Sequence, residues 1–367
     1  MKSQPAATFP SSPSSSPAGL RIEADRFIAA RAERWRHVPR RIPGGEHGVN
    51  PIRCCEGIPG VTSPADLGRA GAMREELADA LRAVRSRLLD GRELPRGPLD
   101  EIVDVLIDLA ARHADSLPAL AFADAAPARD AACSQAVATA ALSVAGAVAL
   151  GWSRADVRDA AMVALLADFG LAALTFDPFA LARSLTEVER SQLAPHGDVS
   201  ALLASRIDGL ADRVLLAVSQ HHERPDGRGT PRGVKGGAIH DIALLVAAAG
   251  TLAAIASPRA HRPALRPHAA LMHTAQAARE GALDEGMTGA LIRACGTYPP
   301  GSHIRLSTGD IAVVVARPAR SDLARPVVRV MPFWGAANFA AIGKPVTVNL
   351  ADEGLGDVRI VEEVEPG

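Results

Sequence analysis

Residues 221–231 read HHERPDGRGTP: His221, His222, Glu223, Asp226, Gly227, Gly229 and Pro231 sit where a predicted helix, Leu210 to Gln220, gives way to a glycine- and proline-rich loop, Pro225 to Gly237. Neighbouring side chains on a helix diverge by about 100°. Two adjacent histidines therefore serve one site only if that site wraps the helix end, or if each faces a different metal ion. The plainer alternative is a polar terminus, where a protonated imidazole favours the helix dipole. Working outward, Asp168 in LLADFGL lies inside an apolar run between Val163 and Leu174. A buried carboxylate needs a histidine, a metal or a proton as partner, unless it stands at the helix end and faces water. His196, in APHGDVSALL, falls between two predicted helices; read alone it is an ordinary surface histidine. His261, His303 and the other histidines are background.

The segments around these residues are helical in pattern. Met73 to Leu89 spaces Leu77, Leu81, Val84 and Leu88 at helical intervals, and Leu99 to Ala111 repeats that spacing after a Gly91 to Pro98 break. Ala131 to Leu150 is a further helix, stopped by Gly151. Ser153 with Asp156 caps the next, through Leu166, and Thr186 with Glu189 caps another. Ile239 to Ser257 continues the pattern. After Tyr298 the text changes to short Val/Ile-rich stretches in HIRLSTGDIAVVVARP, RPVVRVMPFW, KPVTVNL and VRIVEEV, which predict a small antiparallel sheet. The expected organisation is a disordered Ser/Pro-rich leader over 1–49 with one short helix around Ile22 to Trp35, N-terminal helices over 62–112, a helical domain over 113–297 and a β-rich segment over 298–367.

Composition narrows the function. The chain has 367 residues, 48% hydrophobic and 22% charged, with only 3% aromatic, so Ala, Leu and Val must fill the core. Forty basic and 41 acidic side chains leave a formal charge of -1, and no global field draws the chain to nucleic acid or an anionic membrane. A phosphate-bearing ligand needs a local site. Cys54, Cys55, Cys133 and Cys295 show no Cys-x-x-Cys spacing, consistent with a reducing cytoplasm. Ala131 to Ser153 is uncharged over a membrane-spanning length but weakly hydrophobic, and is read as a buried helix with no membrane span.

Helix order and loop text together resemble the HD-GYP domain, the branch of the HD metal-dependent phosphohydrolases that cleaves cyclic di-GMP. The resemblance runs from about Leu99 to Val315 and rests on CSQAV, ALGW, LLADFGL, LTEVE, the lone His196, HHERPDGRGTP, VAAAGTL and the tail GTYPPGSHIRLSTGDIAVVV. It implies a mainly α fold, an HD-type helical bundle with a β-rich appendage. It also implies that Asp168, His196, His221 and His222 are metal ligands. The departures from the family pattern are Cys133 for its first metal-binding His, Arg129 for an occasional Glu, Ala167 for the His of the His-Asp pair and Leu171 for the Lys that follows. Gly250 stands for a later Asp, and Thr230 for the Tyr of Gly-Tyr-Pro.

Members of that family hold two or three metal ions, which activate water and clamp phosphate oxygens. Loss of ligands at Cys133, Ala167 and Gly250 strips one ion of its shell, and Arg129 adds a cation. Without the lysine at 171 a charge that would help neutralise phosphate is gone as well. Three readings remain open: one retained ion, of iron, manganese or zinc, on three imidazoles and a carboxylate; a metal-free polar cluster; or a full site rebuilt with Cys133 as a thiolate ligand. The resemblance thus implies a degenerate regulatory or binding module in cyclic di-GMP signalling, with weak or absent phosphodiesterase activity. Asp168 is the residue that carries catalysis if any persists. An active phosphodiesterase with a reduced metal site and a metal-free helical scaffold that dimerises or docks other proteins are the alternatives. In the loop, Asp226, Arg228, Arg232 and Lys235 offer a surface for phosphate or for an acidic partner. The family also uses this loop against GGDEF-type cyclase domains, where Thr230 replaces the aromatic side chain.

Overall fold

The computed structural model describes residues 16–43, 64–113, 115–123, 130–317, 322–331, 346–352 and 354–364. Its helices are α1 (Pro17–Arg36), α2 (Pro64–Leu89), α3 (Gly97–Arg112), α4 (Ser116–Phe122), α5 (Ala131–Ala149), α6 (Arg154–Leu166), α7 (Glu187–Leu193), α8 (His196–Ala204), α9 (Asp212–Gln220), α10 (Asp241–Ile255), α11 (Pro267–Arg279) and α12 (Glu285–Cys295). The strands that follow are β1 (His303–Leu306), β2 (Ile311–Ala316), β3 (Val327–Val330), β4 (Val346–Asn349) and β5 (Ile360–Glu363). The mainly α fold with a small β-rich C-terminal appendage is as expected.

The uncharged helix α5 is the axis of the helical part. It packs against α2, α4, α6, α10 and α12, so residues on every side of it are buried. That explains its composition: a helix surrounded by others has no solvent face to carry charge. Its length and hydropathy would suffice to cross a bilayer, but 78% of its most apolar window lies buried inside the fold. Gly146 is small for a reason, because a Cβ there would lie 2.8 Å from a Leu245 methyl on α10. The caps read from sequence are present. Ser153 Oγ accepts from Asp156 N–H at 3.2 Å, and Thr186 and Glu189 form a reciprocal capping box.

The antiparallel sheet runs β4-β3-β2-β1-β5 and has its own small core around Ile304, Leu306, Ala312, Val314, Val328 and Val330. These residues alternate along their strands and so share one face, while β2 is buried along its whole length.

One expectation needs correcting. The leader over 1–49 is not wholly disordered, because α1 extends from Pro17 to Arg36 and buries Leu20, Ala24, Phe27 and Trp35 against α8 and α9. The short helix expected around Ile22 to Trp35 is thus longer and docked, and the ion pairs from Arg34 to Asp212 and from Arg206 to Glu23 add to its hold. Beyond α1, Arg41 pairs with the buried Asp241 at 2.7 Å, and the Ile42 N–H donates to the same carboxylate at 2.9 Å. Cys54 and Cys55 lie outside the described residues.

Candidate metal centre

Asp168, His196, His221 and His222 converge. One ligand-type atom from each lies within 4.8 Å of all the others. The carboxylate of Asp168 stands 3.4 Å from His196 Nε2 and 3.7 Å from His221 Nε2, and the two Nε2 atoms are 3.3 Å apart. His222 completes the group, its ring centroid 4.1 Å from that of His221 and 4.9 Å from that of His196.

Local structure makes this possible. Helix α9 ends at Gln220, so the adjacent histidines lie in the turn beyond it and are freed from the helical divergence. His196 is the first residue of α8 rather than part of a connection between helices. Asp168 follows α6 at the start of a short 3-10 turn, Phe169–Ala173, and that turn is clipped to α8. Ser200 Oγ donates to Ala167 O at 2.6 Å and accepts from Gly170 N–H at 2.8 Å. The approach is so close that a Cβ on Gly170 would lie 2.1 Å from His196 O. Position 170 must be glycine for Asp168 to reach His196.

The hydrogen bonds behind the rings fix what they present. His196 Nδ1 is 2.8 Å from Leu193 O and His221 Nδ1 is 2.7 Å from Val218 O. A carbonyl only accepts, so each Nδ1 carries a proton and each ring turns its Nε2 inward, toward the Asp168 carboxylate. The two Nε2 atoms, 3.3 Å apart, call for a cation or a proton between them and the carboxylate. Burial pushes the Asp168 carboxyl upward, but hydrogen bonding to His196 and His221 outweighs it and holds the group well below the usual carboxylate range. His222 is driven well below the ordinary imidazole range by burial, reinforced by the neighbouring histidines. Three imidazoles and one carboxylate are a donor set that fits one divalent ion.

This cluster forms one end of a cavity of about 340 Å³. The other end is lined by Ala164, Ala167, Leu171, Val246, Gly250 and Ala254. So Ala167, Leu171 and Gly250, which stand where the resemblance leads one to expect a ligand or a lysine, do face the site. Cys133 does not line the cavity; its thiol is buried and pushed up to about 12 by that burial. The side chains that α5 presents to the cavity are Gln135 and Thr139, four residues apart on one helical face. The reading of a full site rebuilt with Cys133 as a thiolate ligand therefore has no support in this geometry. Arg129 lies outside the described residues.

Two cavity residues escaped the sequence reading. Arg259 lies 3.9 Å over the Phe179 ring, donates to Gln135 Oε1 and has its pKa lowered to about 10, chiefly by burial. Arg224 also lines the cavity and is lowered by burial. Among the described residues neither guanidinium pairs with a carboxylate. Nothing in local text marks Arg259, which only the fold brings beside Phe179 and Gln135; Arg224 could have been noted as the basic residue after His-His-Glu.

The loop residues divide. Glu223, fully buried, accepts from Arg232 N–H at 3.0 Å and Val234 N–H at 2.9 Å, which pins the loop to the histidine turn. Gly229 packs so tightly that a Cβ would come within 2.3 Å of Arg224 N. Arg232 points inward, its guanidinium 2.8 and 3.0 Å from the two Asp198 oxygens and 3.0 Å from Ser219 Oγ. It braces α8 to α9 and is not a free cation for a partner. Arg228 is exposed beside Asp226, at 3.0 Å, and the Lys235 stem crosses Gly227. Thr230 is half-buried in the same loop.

Comparison with known proteins agrees with this architecture. The family model described as "HD domain" matches residues 105–286. Cyclic di-GMP phosphodiesterase PA4108 of Pseudomonas aeruginosa is 30% identical over 205 residues, 56% of this chain and 48% of that protein. The chain carries an HD domain related in sequence to that phosphodiesterase. A second relative, the cyclic di-GMP phosphodiesterase response regulator RpfG of Xanthomonas campestris, is 35% identical over 156 residues, 41% of this chain and 40% of its own length. The chain thus matches less than half the length of either HD-GYP relative. Among solved structures, the HD-GYP-type protein Bd1817 of Bdellovibrio bacteriovorus aligns with a TM-score of 0.49 at 15% identity, over 62% of this chain and 70% of that one.

Proposed function

We propose that this chain is a degenerate HD-GYP protein: a cytoplasmic regulatory or binding module of cyclic di-GMP signalling that holds one iron, manganese or zinc ion and has little or no phosphodiesterase activity. One observation carries the reading. The donors gather at a single point, Asp168, His196, His221 and His222, while the facing wall at Ala167, Leu171 and Gly250 offers none. A bound ion would supply Lewis-acid polarisation of a phosphate oxygen. The chain's own residues orient and neutralise: Leu193 O and Val218 O fix the two rings, and Arg224 and Arg259 bring positive charge to the cavity. The names of the two curated relatives support cyclic di-GMP or a related nucleotide as ligand. In the loop, Arg228 and Lys235 are what remains for a GGDEF-type or other signalling partner once Arg232 is spent internally.

The test is metal content and cyclic di-GMP turnover on one anaerobic preparation. The expected result is about one transition-metal ion per chain and no turnover with added Mn²⁺ or Fe²⁺. Turnover that Asp168→Ala abolishes overturns the reading. As a follow-up, Ala167→His, Leu171→Lys and Gly250→Asp together should raise the metal content, since a Cβ at 250 meets only Thr139, at 3.6 Å.

A further inference from the structure

We propose that the cavity beside the histidine cluster binds a compact amphipathic anion, a carboxylate head with a short aliphatic body, as an effector of this module. The inference rests on the single-ion reading, because it assigns a use to the wall where ligands of another ion are missing.

Three observations carry it. The wall made by Ala164, Ala167, Leu171, Val246, Gly250 and Ala254 is apolar and opens onto the cavity, so covering it with hydrocarbon is favourable. Next, the same cavity holds Arg224 and Arg259, neither paired with a carboxylate among the described residues. Arg259 is held against Phe179 and Gln135 and so is already oriented for an anionic head. Last, the volume of about 340 Å³ is at the small end of the ~300–1,000 Å³ typical of ligand cavities. That suits a small molecule better than two bases, two sugars and two phosphates. The adjoining cavity of about 620 Å³ shares Leu171, Pro178 and Phe179, but its cation, Arg85, is already paired with Asp130.

Calorimetry on the full chain with its metal tests this, using octanoate, acetate, inorganic phosphate and cyclic di-GMP as probes. Octanoate should bind roughly tenfold or more tightly than acetate, with a negative heat-capacity change that marks apolar burial. Gly250→Leu should weaken octanoate about tenfold by filling the wall, with metal content and thermal transition unchanged; Ala254→Leu serves if that variant does not fold. Arg259→Gln should weaken octanoate and leave the metal in place. Octanoate no tighter than acetate, or unaffected by both filled-wall variants, overturns the inference. So does tight binding of phosphate or cyclic di-GMP alone. Metal content and turnover measured alongside separate the two levels. One ion, no turnover and no octanoate binding sink only this inference, whereas two ions or turnover sink the single-ion reading and this inference with it.

Discussion

The two walls of the central cavity are built on opposite principles. On one side each imidazole is held from behind by a main-chain carbonyl, the Asp168 turn is bolted to α8 through Ser200, and Arg232 ties α8 to α9. On the other side α6 and α10 meet the cavity with Ala164, Val246 and Gly250, none of which orients a donor toward it. The difference teaches where selection for ligand geometry persists. Orienting a donor requires a supporting bond, and a wall without supporting bonds is free to drift toward whatever packs.

The largest effect should come from the polar wall. His221→Ala removes a donor at the centre of the cluster and should weaken metal binding by roughly 100-fold or more, whereas Val246→Ala on α10 should leave it within a few-fold; chelator competition measures both. Equal losses would erase the contrast.

Acid titration probes the root of α10, which carries much of the apolar wall. His240 caps that helix with Nδ1 accepting from Ile242 N–H at 3.1 Å, and burial lowers its pKa to about 4. The unfolded chain takes up this proton near pH 6.5 and the folded chain only near pH 4. Stability attributable to His240 is therefore intact above about pH 6.5 and falls as pH drops toward 4, by about 3 kcal/mol in all. His240→Asn, which keeps a capping acceptor without a titrating ring, should flatten that slope in urea melts across pH 4–7.

Gly170→Ala forces a Cβ onto His196 O and should cost about 1–3 kcal/mol in denaturant unfolding, with metal affinity falling as the Asp168 turn lifts from α8. A silent Gly170→Ala would mean that the polar wall is less tightly joined than its distances indicate. The smallest effect serves as a control remote from both walls: Thr186→Ala breaks the capping box of α7 and should cost about 1 kcal/mol without touching metal affinity.

Much of this was legible in the amino-acid text, for identifiable reasons. Ser153 and Thr186 announced helix starts because capping is local, and the strands after Tyr298 announced themselves by β-branched runs between turn residues. The four converging side chains were legible only through resemblance; spacing alone left His196 an ordinary histidine. The cavity-facing stripe of α5, Gln135 and Thr139, was not legible because register is invisible in a helix buried on every face. Helix α1 was legible only as a short helix around Ile22 to Trp35; its docking by Leu20, Ala24, Phe27 and Trp35 and by the Arg34 and Arg206 ion pairs joins distant segments. The Arg259–Phe179 stack joins distant segments and has no local signature.

The clasp of Asp241 by Arg41 and Ile42 has a practical corollary for anyone shortening this protein. A version trimmed to start after position 43 would strand an anion in the interior at the first turn of α10, and should emerge from expression soft or insoluble even though every cavity residue is intact. Keeping the segment from Ser16 onward is the safer boundary for biochemical work.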